Sequence, residues 1–536
     1  MNFLPPTHRL VASAVICLCS GMFLSPAWSQ TVTAVTTAPV AVFAIKGFKI
    51  TGNNPLGDGD STRVLAPFLR ADATIETLQK ATVALETALR EKGFGLHRVV
   101  LPPQDVGDTV TLNIIQFAIG KVTVEGASAY SQSNIRRSVP ELVEGGTPNF
   151  KTMAIETAIA NENPGKQIQV GLKESDTPDK IDATVTVKET KPWNFAISLS
   201  NGGSSSSGRD RITFSGSHAN LFDRDHQFVG AYTTSLERIE DVKQLGLSYR
   251  VPMYDWGGVI GANYTRSDVV GNFGTFTSTG AGRTLGINYT LYLAPNGGRR
   301  SYMTLGLDDK AFNPTKINDI ALPGQLLRRS RPITLGYTVR TETDAAIWGY
   351  NAELALNTGS GDGTNLNAYQ NEDPRITTTR FKILRASANY SAPIAGQWIW
   401  SVRGQAQISP DVLISGEQFG LGGQGSVRGA GERPISGDKG LSTVFEITTP
   451  EAAPGLRFVG FLEGGWLANN SPNGTSKPSS DRVAGMGLGV RFGAGPFYLT
   501  ADYGRVITGS SVPLTINSAA PRQGDDKLYL NLSVRF

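Results

Sequence analysis

The chain closes on Leu528-Tyr529-Leu530-Asn531-Leu532-Ser533-Val534-Arg535-Phe536, in which every second residue is large and apolar. Successive side chains of a β-strand point to opposite faces, so this stretch reads as a strand with one apolar and one polar side. Ile333, Leu335, Tyr337 and Val339 alternate likewise with Thr334, Gly336, Thr338 and Arg340. A single strand of this kind fits a soluble sandwich as well as a barrel, so the number of strands has to decide. Sixteen candidate strands follow one another over residues 192–536, with about 22 residues for each strand and its connection. An even count of strands near ten residues long suits a closed antiparallel barrel, because tilted strands need roughly 9–11 residues to cross the hydrocarbon layer. A soluble sandwich ranks second. Long connections (312–331, 359–378, 418–440, 469–481 and 508–526) fall on one side and short ones, such as 252–257 and 392–396, on the other. That asymmetry belongs to outer-membrane barrels.

The wider composition agrees. Of 536 residues only 18% are charged, 61 are glycine, and the formal net charge is +4. This suits a β-rich chain with many turns and carries no electrostatic footprint for nucleic acid. Arg9, the apolar stretch 10–24 and Ala27-Trp28-Ser29 read as an export signal over residues 1–29, with Gln30 as the first mature residue. Both cysteines, Cys17 and Cys19, lie inside it, so the mature chain is expected to hold no disulfide. Cys19 follows Leu18 rather than a small residue, which speaks against a lipoprotein signal. No run of eighteen apolar residues follows residue 30, so a membrane location has to be built from strands.

Between signal and barrel the pattern is mixed. After a short segment, 30–42, residues 43–118 read as strand, helix, helix, strand, strand. Phe43–Ile50 is a strand. Thr74 caps a helix carrying Ile75, Leu78, Thr82, Leu85 and Leu89, which Gly93 ends, and 95–101 and 109–117 are strands. Residues 119–190 repeat the order: a strand at 121–125, helices at 131–138 and 150–160 (the second capped by Asn149), and strands at 168–172 and 181–188. Two modules of one element order imply an internal duplication.

Within the barrel region lies Gly420-Leu421-Gly422-Gly423-Gln424-Gly425-Ser426-Val427-Arg428-Gly429. Its G-x-G-x-x-G spacing is not a dinucleotide cradle, because Gly429 and Gly431 forbid the helix such a cradle requires and strands continue on both sides. The glycines instead provide conformational freedom for a sharp, close-lying loop. The residues alone leave two readings: a solvated surface loop, or a loop folded into the lumen. In the second, Arg428 needs a buried anion, and its planar fork suits a carboxylate. Strand parity supplies candidates. With Leu456, Phe458, Gly460 and Leu462 facing lipid, Arg457, Phe461, Glu463 and Gly465 face inward. Phe445 and Ile447 out puts Glu446 in. Glu463 is the first choice and Glu446 the second.

Val427-Arg428-Gly429, in a loop between the eleventh and twelfth strands, and Phe461-x-Glu463-x-Gly465 on an inner-wall strand, together with Asn220-Leu221-Phe222 before the third, carry a family resemblance. The chain resembles the two-partner secretion transporters of Gram-negative outer membranes, the FhaC/ShlB/HecB haemolysin secretion/activation type, over nearly its whole mature length. The resemblance implies two periplasmic POTRA modules (43–118 and 119–190) and a sixteen-stranded transmembrane barrel (191–536) with an inward-folded Val-Arg-Gly loop near 418–440. It also implies type V export of a partner exoprotein captured unfolded in the periplasm, without nucleotide hydrolysis. Outer-membrane lipid is a further partner, as is the barrel assembly machinery, which would read the last strand and Phe536. Three departures stand out. Ala430 replaces the aromatic that follows Val-Arg-Gly in the family, leaving one loop-seating contact in doubt. Glu463 replaces aspartate. The segment 30–42 is too short for the lumen-plugging helix of some members, so no plug, or only a strand-like remnant, is expected. The other readings are an assembly factor that inserts barrel proteins, which usually has three or more modules, and a passive porin, which the modules disfavour.

An enzyme is not expected. His97, His218 and His226 are scattered, and no zinc spacing, Ser/His/Asp arrangement, G-x-S-x-G elbow or P-loop is present. No cofactor or metal is expected. His226, among Asp223, Arg224 and Asp225, reads as part of a polar turn, and the 204–207 serine run as a flexible connection.

Overall fold

The computed structural model describes residues 42–536 except 106, 205–206, 315, 318–319 and 322–325. The expected signal and all but Val42 of the 30–42 segment, with the question of a plug, lie outside the described residues.

The first module runs β1 (Gly47–Gly52), α1 (Gly57–Leu65), α2 (Ile75–Glu91), β2 (His97–Val100) and β3 (Thr109–Gln116). Phe43, expected at the start of β1, instead forms an isolated bridge with Ala73. Thr74 does begin α2, its backbone N–H donating to the Thr77 hydroxyl at 3.1 Å. The buried stripe of α2 is Leu78, Ala81, Leu85 and Leu89; Ile75, in the first turn, points to solvent. The second module repeats the scheme with β4 (Ala118–Glu125), α3 (Gln132–Arg137), α4 (Phe150–Asn161), β5 (Lys166–Glu174) and β6 (Lys180–Glu189). In each, the last strand lies between the other two, parallel to the first and antiparallel to the second. Shared topology, not element order alone, makes the pair a structural duplication.

Sixteen antiparallel strands then close into one barrel among the described residues, strand 1 being Trp193–Ser200 and strand 16 Asp526–Arg535. The last strand pairs with the first from Asn531–Ser200 to Arg535–Ala196, and the Phe536 N–H reaches the Phe195 carbonyl at 2.9 Å. Leu528, Leu530 and Leu532 face outward while Tyr529 is 3% exposed inside. Phe195, Leu285, Leu305, Leu335, Leu462 and Leu488 extend the outer apolar face around the wall. Apolar surface of this extent is stable against lipid and not against water, which excludes the soluble sandwich.

The second module sits on the short-turn end of the barrel. Its apolar core, Ile119, Ile135, Ile159, Val185 and Val187 among others, runs on into Tyr254, Val259 and Tyr292 of the barrel. Beside this core lies a buried polar knot. Lys166 of β5 donates to Asp225 at 2.7 Å, to Ser138 at 2.6 Å and to Asn134 at 2.8 Å. Asp225 belongs to the turn between strand 2 (Arg211–Leu221) and strand 3 (His226–Thr234), and it also accepts from the Tyr254 hydroxyl at 2.7 Å. The turn around His226 is therefore polar as read, but its Asp225 is buried under the second module.

Taking one partner from a buried ion pair costs roughly 3–5 kcal/mol, because the other is left desolvated and unpaired. Asp225→Ala should therefore free the second module, seen as faster proteolysis near residues 189–193 in detergent-solubilised chain. Lys166→Met combined with Asp225→Leu should recover part of the protection; equal cleavage of all three proteins would contradict the junction. Glu156 on α4 is 2% exposed and accepts from the Glu141 N–H at 3.3 Å. Burial pushes its pKa up to about 8, with Glu141 and Asp255 adding like charge. The folded module thus holds a proton that the unfolded chain has released, so its stability falls as pH rises from the ordinary carboxylate range to about 8 and then levels. Glu156→Gln should flatten the melting temperature of this region against pH over that window.

Candidate functional site in the barrel lumen

The chain between strand 11 (Ile399–Ile408) and strand 12 (Lys439–Thr448) folds back inside the barrel. Phe419–Leu421 pairs with Ile435–Gly437 as a short hairpin, and Gly423 and Val427 bridge across its tip. Gly422 and Gly425 lie in this tip with no helix after them, so the G-x-G-x-x-G spacing serves a turn. Of the two readings of the loop, the lumenal one matches the fold.

Arg428 is the largest fully buried side chain among the described residues, 2% exposed. Its Nε donates to Glu463 Oε1 at 2.6 Å, and its backbone N–H to Glu463 Oε2 at 2.6 Å. Nη2 donates to Glu446 Oε1 at 2.6 Å and Nη1 to Asp502 Oδ2 at 3.3 Å. The Phe461 ring lies under the guanidinium, 3.4 Å from its carbon to the ring centroid. Both expected partners are thus engaged at once. Glu463 is the fuller one, binding side chain and backbone together. Asp502, on strand 15 (Phe497–Thr508), was not anticipated. It is shared with Arg491, whose Nη1 and Nη2 donate to it at 2.6 and 3.0 Å. Its signal in the sequence is an acidic residue among the inward-facing alternates Gly504 and Val506 of that strand.

Close approach to the wall explains two glycines. Gly429 adopts φ +102° against the backbone of strand 15, and a Cβ on Gly504 would stand 2.6 Å from the Arg428 Cβ. Val427 and Ala430 join Leu421 and Ile435 in an apolar cluster with Leu467, Val483 and Val506 of the wall. Gly465, the last residue of the inner-wall motif, faces Leu421 of the loop. At Ala430, where the family pattern has an aromatic, the backbone is held from the wall: the Tyr529 hydroxyl of strand 16 donates to the Ala430 carbonyl at 2.5 Å.

A closed barrel with an apolar outer face, α+β modules at its short-turn end and an arginine loop anchored in its lumen defines a β-barrel protein of the outer membrane. Residues 179–492 match the model of the haemolysin secretion/activation proteins ShlB/FhaC/HecB, and residues 43–116 match the ShlB-type POTRA domain. The chain belongs to that family, the two-partner secretion transporters of the outer membrane, whose POTRA region lies in the periplasm. It is similar to the outer membrane transporter CdiB of Escherichia coli, 23% identical over 443 residues, covering 80% of this chain and 73% of the relative. With the CdiB of Dickeya dadantii it shares 21% identity over 456 residues, 82% and 78% of the two chains. The solved structures of CdiB from Escherichia coli and Acinetobacter baumannii superpose with TM-scores of 0.73 and 0.70 at 20% and 16% identity. They cover 95% of this chain in both cases, and 93% and 92% of their own. These likenesses establish the fold.

The carboxylates are unequal. Glu463 holds two bonds with a side chain shut off from solvent, whereas the Glu446 side chain is 20% exposed and holds one. Glu463→Gln should lower the temperature at which the folded barrel is lost on unheated gels by more than Glu446→Gln does. The reverse order would contradict the assignment of Glu463 as the principal anchor.

Proposed function

We propose that this chain exports one partner exoprotein, held unfolded in the periplasm, through the barrel lumen, and that the Val427–Gly429 loop sets the state of that lumen. The buried Arg428, held by Glu463, Glu446 and Asp502, is the observation that carries this reading. A loop attached to the wall by ion pairs is released as a unit when those pairs are broken, which gives the lumen two discrete states. The two POTRA modules, residues 43–118 and 119–190, capture the partner. β2 and β5 are edge strands of their sheets, and backbone bonding to an edge recognises an extended chain with little demand on its sequence. Energy comes from the partner folding outside, where burial of its apolar surface opposes return. No nucleotide is used.

Arg428→Ala should reduce secretion of the partner roughly tenfold or more, since it leaves Glu463 and Glu446 without their cation and Asp502 with Arg491 alone. The amount of folded barrel in the outer membrane should remain near normal. Normal secretion by that variant would refute the loop's role. Deleting the chain should remove one large exoprotein from the medium; loss of many outer-membrane proteins instead would identify an assembly factor.

A further inference from the structure

The loop has a second charged residue buried in the lumen. Glu417, in the leg that enters the barrel before the hairpin, is 2% exposed. Its carboxylate lies 3.1 Å from Lys310 Nζ on strand 7 (Arg299–Phe312) and accepts from Arg385 Nη2 on strand 10 (Lys382–Pro393) at 2.7 Å. The Ser330 hydroxyl adds a bond at 2.8 Å, and the Gln407 side-chain amide holds the Glu417 carbonyl at 2.9 Å. Neither the Val-Arg-Gly nor the Phe-x-Glu-x-Gly motif includes any of these residues.

We propose that Glu417 is a second anchor of the loop, a positioning residue that ties its entering leg to strands 7 and 10 while Arg428 ties its far side to strands 12, 13 (Leu456–Ala468) and 15. The inference rests on the reading of this loop as the element that sets the lumen's state. The charges are complementary in a directional way. The loop presents an anion to Lys310 and Arg385, which the wall also pairs with Asp308 at 3.9 Å and Glu353 at 3.2 Å, and a cation to Glu446, Glu463 and Asp502, so exchanging the two seats would set like charges against each other. A cavity of about 780 Å³ borders the anchor, lined by Lys310, Arg385, Glu417 and Arg433 among others. Release of Glu417 lets the entering leg move into that space while Arg428 and the apolar contacts of the tip still hold the far side.

The test uses the full chain, in planar bilayers and in secreting cells. Glu417→Arg should raise the fraction of time spent in the high-conductance state roughly tenfold and reduce secretion, with the heat-modifiable barrel retained. Arg385→Glu should do the same. Combining the two keeps the net charge of the cluster and should return both readouts towards the parent chain, a rescue that loss of packing alone would not show. Where Glu417→Arg fails to fold, Glu417→Gln carries the measurement. Parent-like conductance in the folded Glu417 variants, or no gain from combining the swaps, overturns the second anchor. Silence of Arg428→Ala in the same assays would instead bring down the reading of the loop on which it rests.

Discussion

One buried guanidinium organises the lumen. Arginine cannot shed its charge in a protein, so once Arg428 is enclosed its donors must all be met or the loop does not stay. Strands 12, 13 and 15 each contribute one carboxylate, and Arg491 balances Asp502 from its other side. The dependence runs both ways. Without Arg428, the carboxylates of Glu446, Glu463 and Asp502 would face one another across a narrow space, where like charges are costly. Loop and wall are therefore complete only together.

The junction between the second module and the barrel uses the same physics. Lys166 and Asp225 are both buried: the ammonium is met by Asn134, Ser138 and Asp225, and Asp225 Oδ2 gathers Lys166, Ser138 and Tyr254 while Oδ1 has no partner among the described residues. Apolar contacts of similar size would be as stable, but they tolerate sliding, whereas a hydrogen-bonded ion pair accepts one geometry. A segment that must sit in one position on a barrel gains register from such a pair. The positive φ of Phe222, Asp223 and Asp225 shows how tightly the turn is wound to deliver that carboxylate. Asn220, of the triplet that carries part of the family resemblance, supports the same knot through Asn134 at 3.2 Å.

Much of this architecture was legible because its rules are local. Alternation in Leu528–Phe536 places Leu530 outside and Tyr529 inside without reference to any other strand, and Thr74 and Asn149 mark helix starts through bonds within a few residues. The same parity turned Phe461 and Glu463 inward and singled out Glu446. Ile75 misled for a related reason: helical spacing says which residues share a face, but near a helix end it does not say where burial begins. Asp502, Tyr529 and Glu417 were passed over because nothing local distinguishes them from other inward polar residues.

Taken alone, the sequence determined the strand number, the lipid and lumen faces, the duplicated α+β modules and the chemical need of Arg428 for an acid, since each follows from periodicity or from the side chain itself. Only the tertiary structure decided which acids meet that need, that Tyr529 reaches the carbonyl of Ala430, and that Glu417 and Asp225 are buried in ion pairs. Those contacts join residues 18 (Arg428 and Glu446) to 107 (Lys310 and Glu417) positions apart. They exist because barrel closure and strand register bring distant strands around one enclosed volume, where an unpaired charge is not tolerated.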